Sequence, residues 1–107
     1  MPRRSGNLPL VLALIVLVSA CKESPPEYIR ELIDSDAGND IQAIWRFKFD
    51  GETVYYVQSG CCDMYNTLYD ADGEVICSPD GGFSGQGDGK CPTFWEQATN
   101  RNVIWER

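Results

Sequence analysis

The sequence predicts an α+β fold: a small disulfide-braced antiparallel sheet with a short N-terminal helix. Three observations carry that expectation. Two period-two segments, Ile41–Phe49 and Glu52–Gln58, flank Asp50-Gly51, a dipeptide typical of tight hairpins. Ser24-Pro25-Pro26-Glu27 precedes Tyr28, Ile29, Leu32 and Ile33, which are apolar at helical spacing. Cys61, Cys62, Cys77 and Cys91 fall in a segment whose small core alone would hold it weakly.

The 107 residues divide unevenly. Met1–Asn7 holds Arg3 and Arg4 and no acid, Leu8–Val18 is almost wholly apolar, and Ser19-Ala20-Cys21 follows. A basic start, a short apolar run and small residues before a cut site are the layout of a bacterial secretory signal. The run is short for a membrane span, and with no polar side it makes a poor core helix. Ser5-Gly6-Asn7 after the arginine pair favours general export over the twin-arginine route. Val18-Ser19-Ala20-Cys21 resembles a lipobox. That resemblance implies cleavage before Cys21, a diacylglycerol thioether on its sulfur and an acylated amino terminus. Several acyl chains anchor firmly where one does not. Lys22 in place of aspartate favours the outer membrane, by resemblance to enterobacterial sorting. Cys21-Lys22-Glu23-Ser24 also resembles surface-export tags of Bacteroidetes lipoproteins. The expected organisation is a signal peptide over 1–20, a lipidated tether over 21–26 and one domain over 27–107.

Without its leader the chain keeps seven basic against sixteen acidic side chains, a net charge of −9. Such a surface repels phosphate backbones and anionic headgroups, so nucleic acid is not an expected partner and the lipid must supply the anchoring.

In the helix signal, Ser24 is the expected N-cap, Pro25 the first helical residue and Glu27 the third. The helix ends near Asp34–Asn39, where Ser, Asp, Gly and Asn cluster. Strict alternation over the first strand puts Ile41, Ala43, Trp45, Phe47 and Phe49 on one face and Gln42, Ile44, Arg46 and Lys48 on the other. The return strand is apolar on both faces, Val54 and Tyr56 on one, Tyr55 and Val57 on the other, which predicts a central position. Thr67–Asp70 and Glu74–Cys77 around Asp72-Gly73 form a second expected hairpin. Pro92–Ala98 reads as a short helix, Asn100-Arg101-Asn102 as a turn and Val103-Ile104-Trp105 as a last strand.

With Cys21 assigned to lipid, the other four cysteines read as a disulfide framework. A bond between Cys61 and Cys62 would strain the peptide between them, which leaves 61–77 with 62–91, or 61–91 with 62–77. Neighbouring residues of an extended segment point to opposite faces, so the pair can clamp two layers. Each bridge is worth about 2–4 kcal/mol. Zinc is disfavoured, because no Cys-x-x-Cys pair and no histidine are present. The same absence argues against a redox-active dithiol.

Two ligand motifs fail on spacing. A calcium loop with Gly73 as its glycine would need an acid at 68 and glutamate at 79, and those are Leu68 and Pro79. A phosphate loop ending at Gly89-Lys90 would need glycine at 84 and Ser or Thr at 91, and those are Ser84 and Cys91. No metal and no cofactor are expected. Ser78–Lys90 holds five glycines, which permit positive φ in a tight loop. The same loop, through Asp80, Phe83, Gln86, Asp88 and Lys90, is the candidate binding surface.

Val54-Tyr55-Tyr56-Val57, Gly60-Cys61-Cys62-Asp63, Leu68-Tyr69-Asp70, Ile76-Cys77, Gly81-Gly82-Phe83, Gly85, Gly87-Asp88-Gly89, Cys91-Pro92, Phe94 and Ile104-Trp105-Glu106 together resemble a family of small bacterial lipoproteins. That family is best known from Bacteroidetes and is described as a domain of unknown function. The resemblance covers roughly Ile41–Glu106 and implies an envelope address and a disulfide fold, with no catalytic role.

Without histidine, Ser-His-Asp and Cys-His machinery is impossible. Asp63, Asp70, Asp72 and Asp88 sit in turns or beside glycines, where acids are usually structural. The expectation is a non-enzymatic binding module, held at the membrane by lipid, for an envelope protein or a small ligand. The alternative is an inhibitor of a lysozyme or protease, with the glycine loop as a preorganised wedge.

Overall fold

The computed structural model describes residues 25–60 and 63–107. The expected signal peptide, the lipidation site Cys21, most of the tether and the pair Cys61-Cys62 lie outside the described residues. Elements run in the order α1 (Glu27–Asp34), β1 (Ile41–Phe49), β2 (Glu52–Ser59), β3 (Tyr65–Asp70), β4 (Val75–Gly81), α2 (Phe94–Gln97) and β5 (Thr99–Glu106). The mixed α+β class holds, with sheet dominating. The five strands are antiparallel in the order β4-β3-β2-β1-β5. Strands β1 to β4 form a meander. The chain then crosses one face of the sheet, carrying α2, and adds β5 beside β1.

The hairpin turns follow their sequence signals. Asp50 and Gly51 both take positive φ, 54° and 79°, as a primed turn between twisted strands requires. At the second hairpin, Asp70 Oδ1 accepts the backbone N–H groups of Asp72 at 2.9 Å and Glu74 at 3.0 Å. That carboxylate organises a turn. β2 lies centrally and is buried from Val54 to Val57, as its two-sided apolar pattern demands.

Four expectations are corrected. Helix α1 begins at Glu27 with Pro26 as N-cap and no side-chain cap. Pro26 disfavours helical geometry at the preceding residue, so Pro25 cannot open the helix. In β1, the register with β2 shifts between Ile41 and Ala43. This bulge puts Ile41 on the face of Ile44, opposite the position that strict alternation assigns it. Residues 100–102 are strand, since β5 starts at Thr99. Its polar residues pair through their backbone with β1 at a sheet edge, across two register shifts.

The disulfide pairing is the fourth. Cys77 is bonded to Cys91, with Cα atoms 6.1 Å apart, so neither 61–77 with 62–91 nor 61–91 with 62–77 stands. Both sulfurs belong to one buried cluster with Leu68 and Phe94. The bond closes the glycine-rich segment on itself, which counting strained pairs along the chain does not reveal.

Two cores form, one on each face. On one, α1 lays the fully buried Ile29 on Ile41, Ile44, Tyr55 and Val57, with Tyr28, Leu32, Ile33 and Trp105 around them. Tyr28 Oη donates to the Asp70 carbonyl at 2.5 Å, fastening the helix to the second hairpin. On the other, α2 lays the fully buried Phe94 on Phe47, Val54 and Tyr56. Each fully buried side chain of this size contributes about 1.5–3 kcal/mol. Arg107 closes the α1 end: its guanidinium donates to Asp36 Oδ2 at 2.8 Å, Asn39 Oδ1 at 3.0 Å and the Ile41 carbonyl at 2.9 Å. Asp36 also accepts the N–H groups of Ile41 and Asp40. The Ile41 N–H, with Asp40 and Arg107 adding to it, holds the Asp36 carboxyl below the usual carboxylate range.

Candidate functional site

The glycine loop is a self-braced structure. Asp88 is its central brace: Oδ2 accepts the Ser78 N–H at 3.1 Å, Oδ1 accepts the Lys90 N–H at 3.0 Å, and its own N–H donates to the Ser78 carbonyl at 2.9 Å. The Gly87 N–H donates to the Gly81 carbonyl at 3.0 Å. Gly87 has φ +78°, and a Cβ there would collide with the Ser78 carbonyl and Pro79 backbone, so only glycine fits. Gln86 is exposed and bridges to Gly81, while its N–H donates to Ser84 Oγ. Lys90 is exposed. Phe83 stands at the loop tip, 93% exposed.

Asp80 turns inward. Its Oδ1 accepts Tyr56 Oη–H at 2.7 Å and Asn66 Nδ2–H at 2.9 Å. Burial, and after it the Asp80 carboxylate, push the Tyr56 phenol well above its ordinary range, so it remains a donor. Of the five expected loop residues, Asp80 and Asp88 therefore serve the frame, while Phe83, Gln86 and Lys90 face solvent. The structure does not gather the five into one site.

A different site emerges on the α2 face. A cleft of about 230 Å³ is lined by Trp45, Phe47, Tyr56, Gln58, Trp95 and Arg101. Strand pairing builds its floor, since Trp45 lies opposite Tyr56 across β1 and β2. Phe47 and Tyr56 are 5% exposed and form the bottom. Helix α2 can bury only one of its adjacent aromatics. Phe94 goes into the core, which leaves Trp95 47% exposed at the cleft edge, its ring 5.1 Å from Tyr56 and 6.0 Å from Phe47. From β5, the Arg101 guanidinium lies 4.7 Å from the Trp45 ring centroid, a cation–π contact. Trp45 Nε1–H donates to Gln58 Oε1 at 3.1 Å. That fixes both side chains and leaves the Gln58 –NH₂ without a protein acceptor among the described residues.

The cleft can hold a ligand but carries no nucleophile or acid–base pair: its side chains are four aromatics, an amide and a guanidinium. Among the described residues, no group of three or more Cys, Asp and Glu is placed to hold a metal ion. Sequence reasoning takes Trp45 only as a core residue and Arg101 only as a turn residue. One signal was available: two adjacent bulky aromatics, Phe94 and Trp95, on one short helix cannot both be buried on one face.

A family model described as Domain of unknown function (DUF6970) matches residues 30–107. No curated protein and no solved structure gives a significant match.

Proposed function

The chain belongs to the DUF6970 family, and from that premise we propose that it is a lipid-anchored bacterial envelope protein whose domain is a non-catalytic binding module. The single observation that carries the binding role is the open aromatic cleft on a rigid sheet face. Its floor is locked by packing and by the Trp45–Gln58 hydrogen bond, so little ordering opposes ligand capture. The leader pattern and Val18-Ser19-Ala20-Cys21 support an acylated Cys21, and Lys22 supports the outer membrane as its address. The lack of histidine and the use of Asp70, Asp80 and Asp88 as hydrogen-bond frames support the non-catalytic reading.

The test uses the full-length chain expressed in a bacterial envelope. Labelled palmitate enters the wild-type protein and not Cys21→Ala, and the wild type fractionates with the outer membrane; an unacylated, soluble wild type overturns the anchor. A photo-crosslinker beside the cleft captures an envelope component from the wild type and loses it in Trp95→Ala. Equal capture by both removes the cleft from the function.

A second reading has its own observation. Phe83, 93% exposed on a loop braced by Asp88 and Cys77–Cys91, has the form of a preorganised wedge for an envelope hydrolase. A lysozyme and protease panel inhibited by the wild type and spared by Phe83→Ala supports it. No inhibition across the panel discards it.

A further inference from the structure

The composition of the cleft goes beyond the statement that it binds something, and resting on the binding-module reading we propose that it holds one ring of a carboxylated sugar, a uronate-type residue of an acidic glycan. Size comes first. At about 230 Å³ the cleft falls below the roughly 300–1,000 Å³ of pockets that enclose whole drug-sized ligands. It takes one ring-sized group, with the rest of a longer ligand outside.

The walls specify the group. The exposed Trp95 indole, beside half-buried Trp45, offers a flat apolar surface. One face of a pyranose presents C–H groups, which are weakly electropositive and complement the negative face of an aromatic ring. The Gln58 –NH₂ donates to a ring hydroxyl. Arg101 supplies the charge. Its neighbour is the Trp45 ring, and it has no carboxylate within ion-pair distance among the described residues. The chain carries a net charge of −7, yet no acid lines this cleft. An uncommitted guanidinium over an aromatic floor therefore suits a carboxylate, which it grips through two parallel N–H donors. Asp80, the nearby acid, is held behind Tyr56 by its bonds to Tyr56 and Asn66. A glutamate side chain of an acidic peptide would satisfy Arg101 but leave the exposed Trp95 indole unfilled, so the observations favour the sugar.

The experiment follows tryptophan emission of full-length protein in detergent, in a Trp105→Phe background, because Trp105 packs on the opposite face. Three probes are titrated: trigalacturonate, its neutral analogue trigalactose, and tri-glutamate. Trigalacturonate should give a saturable shift. Arg101→Gln should weaken it about tenfold or more, with Arg101→Lys between the two, and the neutral analogue should bind wild type as weakly. Unchanged melting of the arginine variants separates ligand loss from misfolding. Equal binding of acidic and neutral sugars, or an Arg101→Gln variant that binds like wild type, overturns the carboxylate contact. Binding of tri-glutamate in preference to sugar overturns the glycan. If no probe binds while Trp95-dependent crosslinking persists, the sugar inference falls and the binding module stands; if crosslinking is absent as well, both fall.

Discussion

The two faces of the sheet are built from similar material and finished differently. Under α1, the helix covers aliphatic residues and tyrosines, and Arg107 and Asp36 close the end with side-chain hydrogen bonds. Under α2, a single helical turn and a disulfide seal only half of the face. Phe94 is buried while its neighbour Trp95 is left 47% exposed beside Trp45. An eight-residue amphipathic helix makes a lid, whereas a four-residue helix pinned by a disulfide makes one wall of a cleft. Function is therefore expected where coverage is incomplete.

The largest expected effect tests whether the α2 face is a core at all. Phe94→Ala removes the ring that meets Phe47 and Phe49 at 5.1 Å, and it should cost about 3–5 kcal/mol in urea unfolding. Ile29→Ala on the other face should cost about 2–5 kcal/mol. Coincident fluorescence and circular-dichroism transitions in both variants would show one cooperative unit; separate transitions would split the faces into independent parts. A Phe94→Ala variant as stable as an exposed substitution would break the comparison.

Next is the disulfide. Replacing Cys77 and Cys91 together by alanine removes a closure over a separation of 14 residues and should cost about 3 kcal/mol, with the loss read under non-reducing conditions. A non-reducing peptide map should recover the Cys77–Cys91 cross-linked peptide, and a map pairing either residue with Cys61 or Cys62 would overturn the assignment. Gly87→Ala, forced to φ +78° against the Ser78 carbonyl, should cost about 1–3 kcal/mol and loosen the loop, visible as faster proteolysis near Phe83.

The smallest effect sharpens the α1 side and depends on pH. Because the Asp36 pKa is lowered in the folded state, its stabilisation is present above the unfolded value of about 3.9 and is lost as pH falls through the folded value. Asp36→Asn should be less stable than wild type at neutral pH, and the gap should close on acidification below that range. A gap that stays constant down to pH 2 would remove Asp36 from the acid response.

Much of the architecture was legible because its signals are local. Asp50-Gly51 needs only its own backbone to specify a turn, and the two-sided apolar run Val54–Val57 announces a central strand. The bulge near Ile41 was not legible: at that point Asp36 and Arg107 hold the Ile41 backbone, and Arg107 is 66 residues away. The sulfur pairing escaped for a similar reason: the burial that joins Cys77 to Cys91 belongs to the folded cluster and leaves no mark on cysteine spacing. The cleft was the least legible part. Trp45, Gln58, Trp95 and Arg101 sit on three strands and a helix, and only the crossover after β4 brings them together. Phe83 and Asp88 read alike in the sequence as candidate binding residues of a glycine loop, yet Phe83 stands exposed at the tip while Asp88 is a brace.

The crossover segment has one more consequence. By folding back over Ser78–Gly81, with Asp88 paired to Ser78 and Pro79 offering no N–H, it occupies the outer margin of β4 where a foreign strand would otherwise dock. At the opposite margin, β5 is exposed from Thr99 to Val103, and no described strand pairs with its outer edge. Among the described residues sheet extension between copies has a single vacant seat, so two molecules that joined there would leave no place for a third. Growth of that kind ends as a pair and does not run on into a fibre.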